Sequence, residues 1–155
     1  MTDLYHRYGP ALRRKCERML GNPQDAEDVV HSLFIELLDQ GRDEVTLPWL
    51  YRAATHRSLN VLRDGRRRRE LLAQHGGDTL VIRHGDLADR VISRDLLLRL
   101  VDQLEEPLFE VFVTVYLDRL NHVETAELMG IHRKTVAARL ARIKAVVDAL
   151  LEEAP

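Results

Sequence analysis

The sequence contains a single cysteine, few aromatic residues and no long apolar run. Cys16 has no second cysteine with which to form an internal disulfide, as expected of a protein in the reducing cytoplasm. Aromatic residues make up 5% of the chain, so its cores must be built mainly from Leu, Val and Ala. No apolar segment approaches the roughly 20 residues that a membrane span requires. The first residues lack the basic start and apolar run of a signal peptide. The composition therefore predicts a cytoplasmic protein that does not insert into a membrane.

Sequence motifs for catalysis and metal binding are also missing. The seven histidines and one cysteine show no zinc-like spacing, and His6, His31, His56 and His75 stand alone. No Gly-rich phosphate loop, GxSxG motif or nucleophile–base pair can be placed. We therefore expect a protein that is not an enzyme and that uses no metal and no cofactor.

The net charge of −2 hides an uneven distribution of charge along the chain. Residues 49–69 contain seven arginines and one acid, and residues 132–144 contain five Lys or Arg and no acid. Between them, residues 71–119 hold nine acids against five bases. Two basic segments separated by an acidic one fit two modules that each contact phosphate. Either basic segment alone would be better explained as a solvated helix face, and the motifs described below favour the phosphate contact.

Helical periodicity covers almost the whole chain, and strand-like alternation is absent. Asn22 and Pro23 are typical of a helix start and Gly41 of a helix end. The sequence predicts an all-α fold of two small helical domains, residues 1–70 and 93–155, joined by a short linker at 71–92. Helices are expected at 3–20, 23–40, 48–67, 93–105, 107–118, 122–129 and 133–151. The apolar stripe of the second helix is expected to contain Ala26, Val29, Val30, Leu33, Phe34, Leu37 and Leu38.

Residues 122–140, HVETAELMGIHRKTVAARL, have the pattern of a helix-turn-helix. Ala126 is small where the second helix would cross, and Gly130 permits a positive φ in the turn. Ile131 and Val136 would fill the angle between the helices. The buried stripe of the second helix is predicted to be Val136, Leu140, Ile143 and Val147. Its opposite face is predicted to be Lys134, Ala138, Ala141 and Ala145, flanked by Arg133, Ala137, Arg142 and Lys144.

A face of small side chains flanked by cations suits a helix that enters the major groove of DNA. We predict contacts to duplex DNA from His132, Arg133, Lys134, Thr135, Ala138, Arg139 and Arg142. The alternative is a plain helical hairpin whose Ala-rich face meets another helix or solvent.

The third predicted helix carries a second unusual stripe, at spacings of three and four residues: Trp49, Arg52, His56, Asn60, Arg63 and Arg67. This mixture of an aromatic, an amide, an imidazole and cations suits single-stranded nucleic acid, whose unpaired bases can stack and form hydrogen bonds. The alternative is that Trp49 belongs to the core and that the arginines are merely solvated.

Three segments, in chain order, resemble regions of the extracytoplasmic-function (group 4) sigma factors of the sigma-70 family. DAEDVVHSLFIELL (25–38) resembles region 2.2, WLYRAATHRSLNVLRDGRRRR (49–69) resembles regions 2.3 and 2.4, and residues 104–146 resemble region 4. The resemblance implies that the first half binds the clamp of core RNA polymerase and opens the −10 promoter element. It implies that the second half binds the −35 element and the polymerase flap.

The same resemblance implies roles for individual residues and partners. Contacts to core polymerase are expected from Asp25, Asp28, His31, Ser32 and Glu36. The stripe from Trp49 to Arg67 would bind the −10 element as a single strand. The residues predicted above to contact duplex DNA, on the second helix of the helix-turn-helix, would bind the −35 element. An anti-sigma factor is expected as a further partner.

Several residues depart from the usual pattern of the family. His31 and Ser32 stand where the family usually has Gln-Glu, His56 and Asn60 where it has Asn and Asp, and Ala137 where Lys is common. These differences bear on the promoter sequence more than on the function. Two other functions stay open: a helix-turn-helix regulator that acts without polymerase, and a degenerate sigma factor that serves only as an interaction protein.

Overall fold

The computed structural model describes residues 2–42, 44–72 and 94–153, and the side chains of residues 66–72 and 94 fall outside that description. The helices are α1 (Thr2–Leu20), α2 (Pro23–Asp39), α3 (Leu47–Leu72), α4 (Arg94–Gln103), α5 (Glu106–Phe112), α6 (His122–Met129) and α7 (Arg133–Glu153). A π-helical segment, Val113–Leu117, continues α5. No strand occurs among the described residues, and the predicted all-α fold is confirmed.

The chain divides into two compact units, residues 1–61 and 62–155, and the division falls inside α3. The linker predicted at 71–92 lies almost entirely outside the described residues, as does His75. The predicted domain boundary therefore stays a prediction.

The first unit begins with α1 and α2, which are packed against each other. Asn22 caps α2 because its side-chain oxygen accepts hydrogen bonds from the backbone N–H groups of Gln24, at 2.8 Å, and Asp25, at 3.2 Å. Pro23 occupies the first turn, where its missing N–H costs nothing. The unit's apolar core is built mainly from Leu12, Cys16, Met19, Leu20, Val29, Val30, Leu33, Leu37, Leu50, Ala54 and Leu59.

One member of the apolar stripe predicted for α2 lies outside this core. Leu38 is 59% exposed, so its predicted place in the stripe is wrong. Leu37 is next to it and buried, and a rotation of 100° per residue takes the following side chain around to the outer face.

A lysine lies in the interior of the first unit. Lys15 is fully buried, and its Nζ atom lies 4.3 Å from the ring centroid of Tyr51 on α3. Because burial of an ammonium group is costly unless the group has partners, this cation–π contact compensates part of the cost. It also links α1 to the first turns of α3.

A Schellman motif ends α2 and turns the chain toward α3. Gly41 adopts a left-handed conformation with φ 62°, and its N–H donates to the carbonyl of Leu38 at 3.1 Å. The N–H of Arg42 donates to the carbonyl of Leu37 at 3.0 Å. These two bonds are the pair that defines the motif, and they fix the backbone of Arg42 at the end of α2.

In the second unit, α4 and α5 both pack against α7. The core contains Leu97, Leu100, Phe109, Phe112 and Val113, with Val136, Ile143 and Val147 from α7. Phe109 and Phe112 are in contact, with ring centroids 6.0 Å apart. The core therefore places one side of α7 inward along most of its length.

The helix predicted at 107–118 is interrupted in the structure. The α-helical part ends at Phe112, and the π-helical bond from the N–H of Asp118 to the carbonyl of Val113 measures 2.9 Å. Within this segment the hydroxyl of Thr114 donates to the carbonyl of Glu110 at 2.8 Å. Side-chain bonds of this kind bend helices, and apolar periodicity does not reveal them.

Candidate nucleic-acid and polymerase interface

Paired hydrogen bonds define both ends of α6. The Asn121 side chain accepts from the N–H of Glu124 at 2.8 Å, and the Glu124 carboxylate accepts from the N–H of Asn121 at 3.1 Å. This reciprocal pair is a capping box. At the other end Gly130 has φ 65°, and the N–H of Ile131 donates to the carbonyl of Ala126 at 3.0 Å. The predicted turn with a positive φ at Gly130 is confirmed.

The packing of α6 on α7 follows the expected pattern with two exceptions. Ala126 is buried where the helices approach, and Val136, Ile143 and Val147 form a buried stripe on α7. Leu140, predicted for this stripe, is only partly buried, and so is Ile131 at the turn. The two helices therefore form the predicted helix-turn-helix.

The opposite face of α7 is open. All eight residues predicted for it are exposed: Arg133, Lys134, Ala137, Ala138, Ala141, Arg142, Lys144 and Ala145. Two other predicted DNA contacts, Thr135 and Arg139, are partly buried, which agrees with a role in packing as well. The outer face of α7 thus combines small side chains in its middle with cations on its flanks.

His132 has a role in the structure that the sequence did not suggest. Its Nδ1 atom accepts a hydrogen bond from the N–H of Lys134 at 3.1 Å, so the imidazole caps the N-terminus of α7. The carbonyl of His132 accepts from the N–H groups of Thr135 and Val136. Its position directly before a predicted helix was the available signal, although histidine is not among the preferred caps.

The α3 stripe lies on one uninterrupted helix. Because α3 runs without a break from Leu47 to Leu72, the spacing of the stripe places its residues along one face. Arg52 and Asn60 are exposed, whereas His56 and Arg63 are partly buried. Arg67 lies on the same helix, but its side chain is outside the described part. Of the predicted stripe, Trp49, Arg52, His56, Asn60 and Arg63 thus share one side of α3.

Trp49 is at the N-terminal end of this stripe. The residue is 37% exposed, so the alternative that it belongs to the core is wrong. Its backbone N–H donates to the hydroxyl of Thr46 at 3.3 Å. The guanidinium carbon of Arg42 lies 5.3 Å from the centroid of the indole ring, within cation–π range. Arg42 is outside the spacing of the α3 stripe, so this contact could not be predicted from the sequence pattern.

The predicted polymerase-binding residues lie on the outer side of α2. Asp28, His31, Ser32 and Glu36 are exposed and Asp25 is partly buried. The stripe of buried residues on the other side of the helix therefore leaves them outward, as the spacing predicts.

Two of these residues bind Arg57 of α3. An Nη atom of Arg57 donates to the Ser32 hydroxyl at 2.9 Å, and the other pairs with the Glu36 carboxylate. On the same side of α2, Nε2 of His31 lies within hydrogen-bond distance of the Tyr5 hydroxyl, at 3.0 Å. The sequence did not predict either contact, because both partners belong to other helices and have no motif.

Two apolar side chains accompany this polar surface. Ile35 and Leu38 are each 59% exposed, and Ile35 follows Asp28 by seven residues, which is about two helical turns. The outer face of α2 is therefore amphipathic, with carboxylates and apolar groups side by side.

Within the described ranges, no helix is long and apolar enough to cross a membrane, and no three His, Cys, Asp or Glu side chains are placed to hold a metal ion.

A chain of two helical units with a helix-turn-helix and a basic stripe on α3 has the architecture of a DNA-binding transcription factor. The family model of sigma-70 region 2 matches residues 4–68, and that of sigma-70 region 4 matches residues 94–146. These models together cover most of the chain, which belongs to the sigma-70 family of RNA polymerase sigma factors, in the extracytoplasmic-function (ECF) type. Members of this family bind core RNA polymerase and promoter DNA, and they are transcription initiation factors rather than catalysts.

Two curated relatives are similar over nearly the whole chain. The ECF RNA polymerase sigma factor SigW of Bacillus subtilis (strain 168) is 29% identical, over 91% of this chain and 83% of the relative. The RNA polymerase sigma factor NccH of Alcaligenes xylosoxydans xylosoxydans is also 29% identical, over 97% of this chain and 86% of the relative.

Solved structures show the same fold. CnrH, solved in complex with the cytosolic domain of CnrY, has a TM-score of 0.56 at 22% identity, covering 99% of this chain and 88% of CnrH. The sigma factor RpoE of Bartonella quintana, solved with the anti-sigma factor NepR, has a TM-score of 0.50 at 16% identity, covering all of both chains.

Proposed function

We propose that the chain is an alternative sigma factor that binds core RNA polymerase and directs promoter-specific initiation in the cytoplasm. It recognises the −35 element as a duplex and opens the −10 element. The observation that carries this proposal is the presence of two separate cationic surfaces, one on α3 and one on α7. They occur in the chain order of the two matched family regions.

The −35 element is proposed to meet the outer face of α7. Small side chains at Ala138 and Ala141 let the helix lie deep in the major groove, and their methyl groups can contact thymine methyls. Arg133 and Lys134 stand in the first turn, where the positive end of the helix dipole adds to their attraction for phosphate. The left-handed turn at Gly130 and the buried contacts of Ala126 and Val136 set how α6 meets α7 for this contact.

The −10 element is proposed to meet the α3 stripe as an unpaired strand. Extruding a base from a duplex costs a few kcal/mol, and stacking on an aromatic ring returns about 1–3 kcal/mol per base. Arg52 and Arg63 would hold the backbone of the strand, and His56 and Asn60 would meet base edges. Binding energy of this size shifts the equilibrium of the duplex, so opening needs no nucleotide hydrolysis.

The clamp of the polymerase is proposed to bind the outer face of α2. Asp28 supplies negative charge there, whereas the charge of Glu36 is balanced by Arg57. Ile35 and Leu38 supply apolar area that a partner would bury. An anti-sigma factor is a further proposed partner, supported by the fold shared with CnrH and RpoE, which were solved with CnrY and NepR.

Run-off transcription with cognate core polymerase, combined with permanganate footprinting of the −10 region, tests both promoter contacts. His56→Ala and Arg63→Ala should reduce footprinting, because unpaired thymines would be held less often. Arg133→Ala and Lys134→Ala should weaken binding of the duplex. Each lost phosphate contact to the duplex makes the plot of log affinity against log salt concentration less steep by about 0.9.

Arg13→Ala is the matched control, because Arg13 is exposed on α1 and belongs to neither surface. Normal promoter opening by both α3 variants would show that the stripe is not the melting surface. Duplex binding by the parent without any run-off product would favour the polymerase-independent regulator.

A further inference from the structure

The contact between Arg42 and Trp49 joins the end of α2 to the N-terminal end of the α3 stripe. We propose that these two residues form one nucleotide-binding unit. In the free protein the guanidinium covers the indole ring; when the promoter opens, an unpaired base replaces it on the ring. The released guanidinium then binds a phosphate of the same strand. This inference rests on the proposed function of the stripe.

The backbone N–H groups of Arg42 and Trp49 are both hydrogen-bonded, whereas the Arg42 side chain is exposed. The Schellman motif holds Arg42 by its N–H bond to Leu37, and Gly41 supplies the left-handed turn before it. The backbone of Trp49 is held by its N–H bond to the Thr46 hydroxyl. Both residues are exposed, so the guanidinium can leave the ring while its Cα stays beside it.

The relative strengths of the two contacts favour the exchange. An exposed cation–π contact favours the covered ring over the uncovered ring by about two- to five-fold. Stacking of one base on an aromatic ring raises the affinity for the strand about five- to 150-fold. An unpaired base therefore displaces the guanidinium more readily than the guanidinium excludes the base. The displaced cation keeps its charge close to the strand, where phosphate is its natural partner.

The size of the Arg42 contribution follows from counterion release. One phosphate contact to a single strand changes the slope of log affinity against log salt by about 0.7. At roughly 0.1 M salt this slope corresponds to about a five-fold contribution to affinity, and near 1 M salt the contribution disappears. A purely structural role of Arg42 would not produce this dependence on salt.

The test measures binding of a fluorescein-labelled, single-stranded oligonucleotide with the −10 sequence to holoenzyme, by anisotropy at several salt concentrations. Arg42→Ala should show a slope reduced by about 0.7. At roughly 0.1 M salt its affinity should fall by less than five-fold, because an uncovered ring offsets part of the lost phosphate contact. Arg42→Lys should keep the slope of the parent because it keeps the charge. Arg14→Ala, which removes an exposed arginine of α1, is the matched control and should behave as the parent.

A second measurement uses the single tryptophan of the chain. In the free protein, acrylamide should quench Trp49 emission more strongly in Arg42→Ala than in Arg14→Ala, because the ring loses its cover. Equal quenching, or an unchanged salt slope in Arg42→Ala, would overturn the inference. If Trp49→Ala and Arg63→Ala also bind the strand as the parent does, the proposed function of the stripe fails. If only those two weaken binding, the role of Arg42 fails alone.

Discussion

A single methyl group at Gly130 is predicted to destabilise the helix-turn-helix through its backbone alone. Gly130 has φ 65°, and a Cβ atom there would meet nothing within 4 Å. An alanine would therefore add no clash, but it would have to adopt the left-handed conformation, which costs about 1–2 kcal/mol. Gly130→Ala should lower the free energy of unfolding of the second unit by this amount. A loss of duplex binding should accompany it.

Gly65 in α3 is the matched control for this substitution. A Cβ atom at Gly65 would also meet nothing within 4 Å, but its backbone is helical. Gly65→Ala should therefore stabilise the chain by about 0.5–1 kcal/mol. Gly41, with φ 62° and the same open surroundings, should behave like Gly130. The three substitutions add the same group and differ only in the local backbone.

Urea unfolding followed by circular dichroism measures these changes, and the emission of Trp49 reports the first unit separately. The expected result is a change of sign between Gly65→Ala and the other two variants. If Gly130→Ala were as stabilising as Gly65→Ala, the left-handed turn would not exist in solution, and the arrangement of α6 and α7 would have to be redrawn.

Three further predictions concern single side chains. Asp28→Arg should weaken binding to core polymerase while changing the free energy of unfolding by no more than about 0.5 kcal/mol, since Asp28 is exposed; unchanged affinity in a pulldown would argue against docking through α2. Thr125→Val should stabilise the chain by about 1 kcal/mol in urea unfolding, because the buried Thr125 hydroxyl has no hydrogen-bond partner. Thr125→Ser, which keeps the hydroxyl, should show no such gain. Asn22→Ala should lower the free energy of unfolding by about 1 kcal/mol, because it removes the cap of α2. The measurement is the urea midpoint of unfolding followed by Trp49 emission.

Helix boundaries with a chemical signal could be predicted from the sequence. Asn22 with Pro23, and Gly130 with Ala126, gave the start of α2 and the turn between α6 and α7, because caps and left-handed positions select few residue types. The end of α5 could not be predicted. It depends on the Thr114 hydroxyl and on a shift in the backbone hydrogen bonds, which leave the apolar pattern unchanged.

The candidate site was predictable where one helix carries all of it. The outer faces of α3 and α7 follow from spacing, because a helix converts sequence distance into angle. The partners supplied by another element were not predictable: Arg57 on Glu36, Tyr5 on His31, and Arg42 on Trp49. Leu38 shows the limit within a helix, since apolar character alone could not tell an outer position from an inner one.

The π-helical segment after α5 affects how this chain should be aligned with its relatives. A π turn is an α-helix with one residue too many, and each residue corresponds to about 100° of rotation. A relative whose helix is regular here would be one residue shorter, so the alignment should open a single-residue gap within Val113–Leu117. Without that gap, every position from Asp118 onward would be aligned one residue out of register with the relative. The face of α7 that points outward would then be compared with residues that point elsewhere.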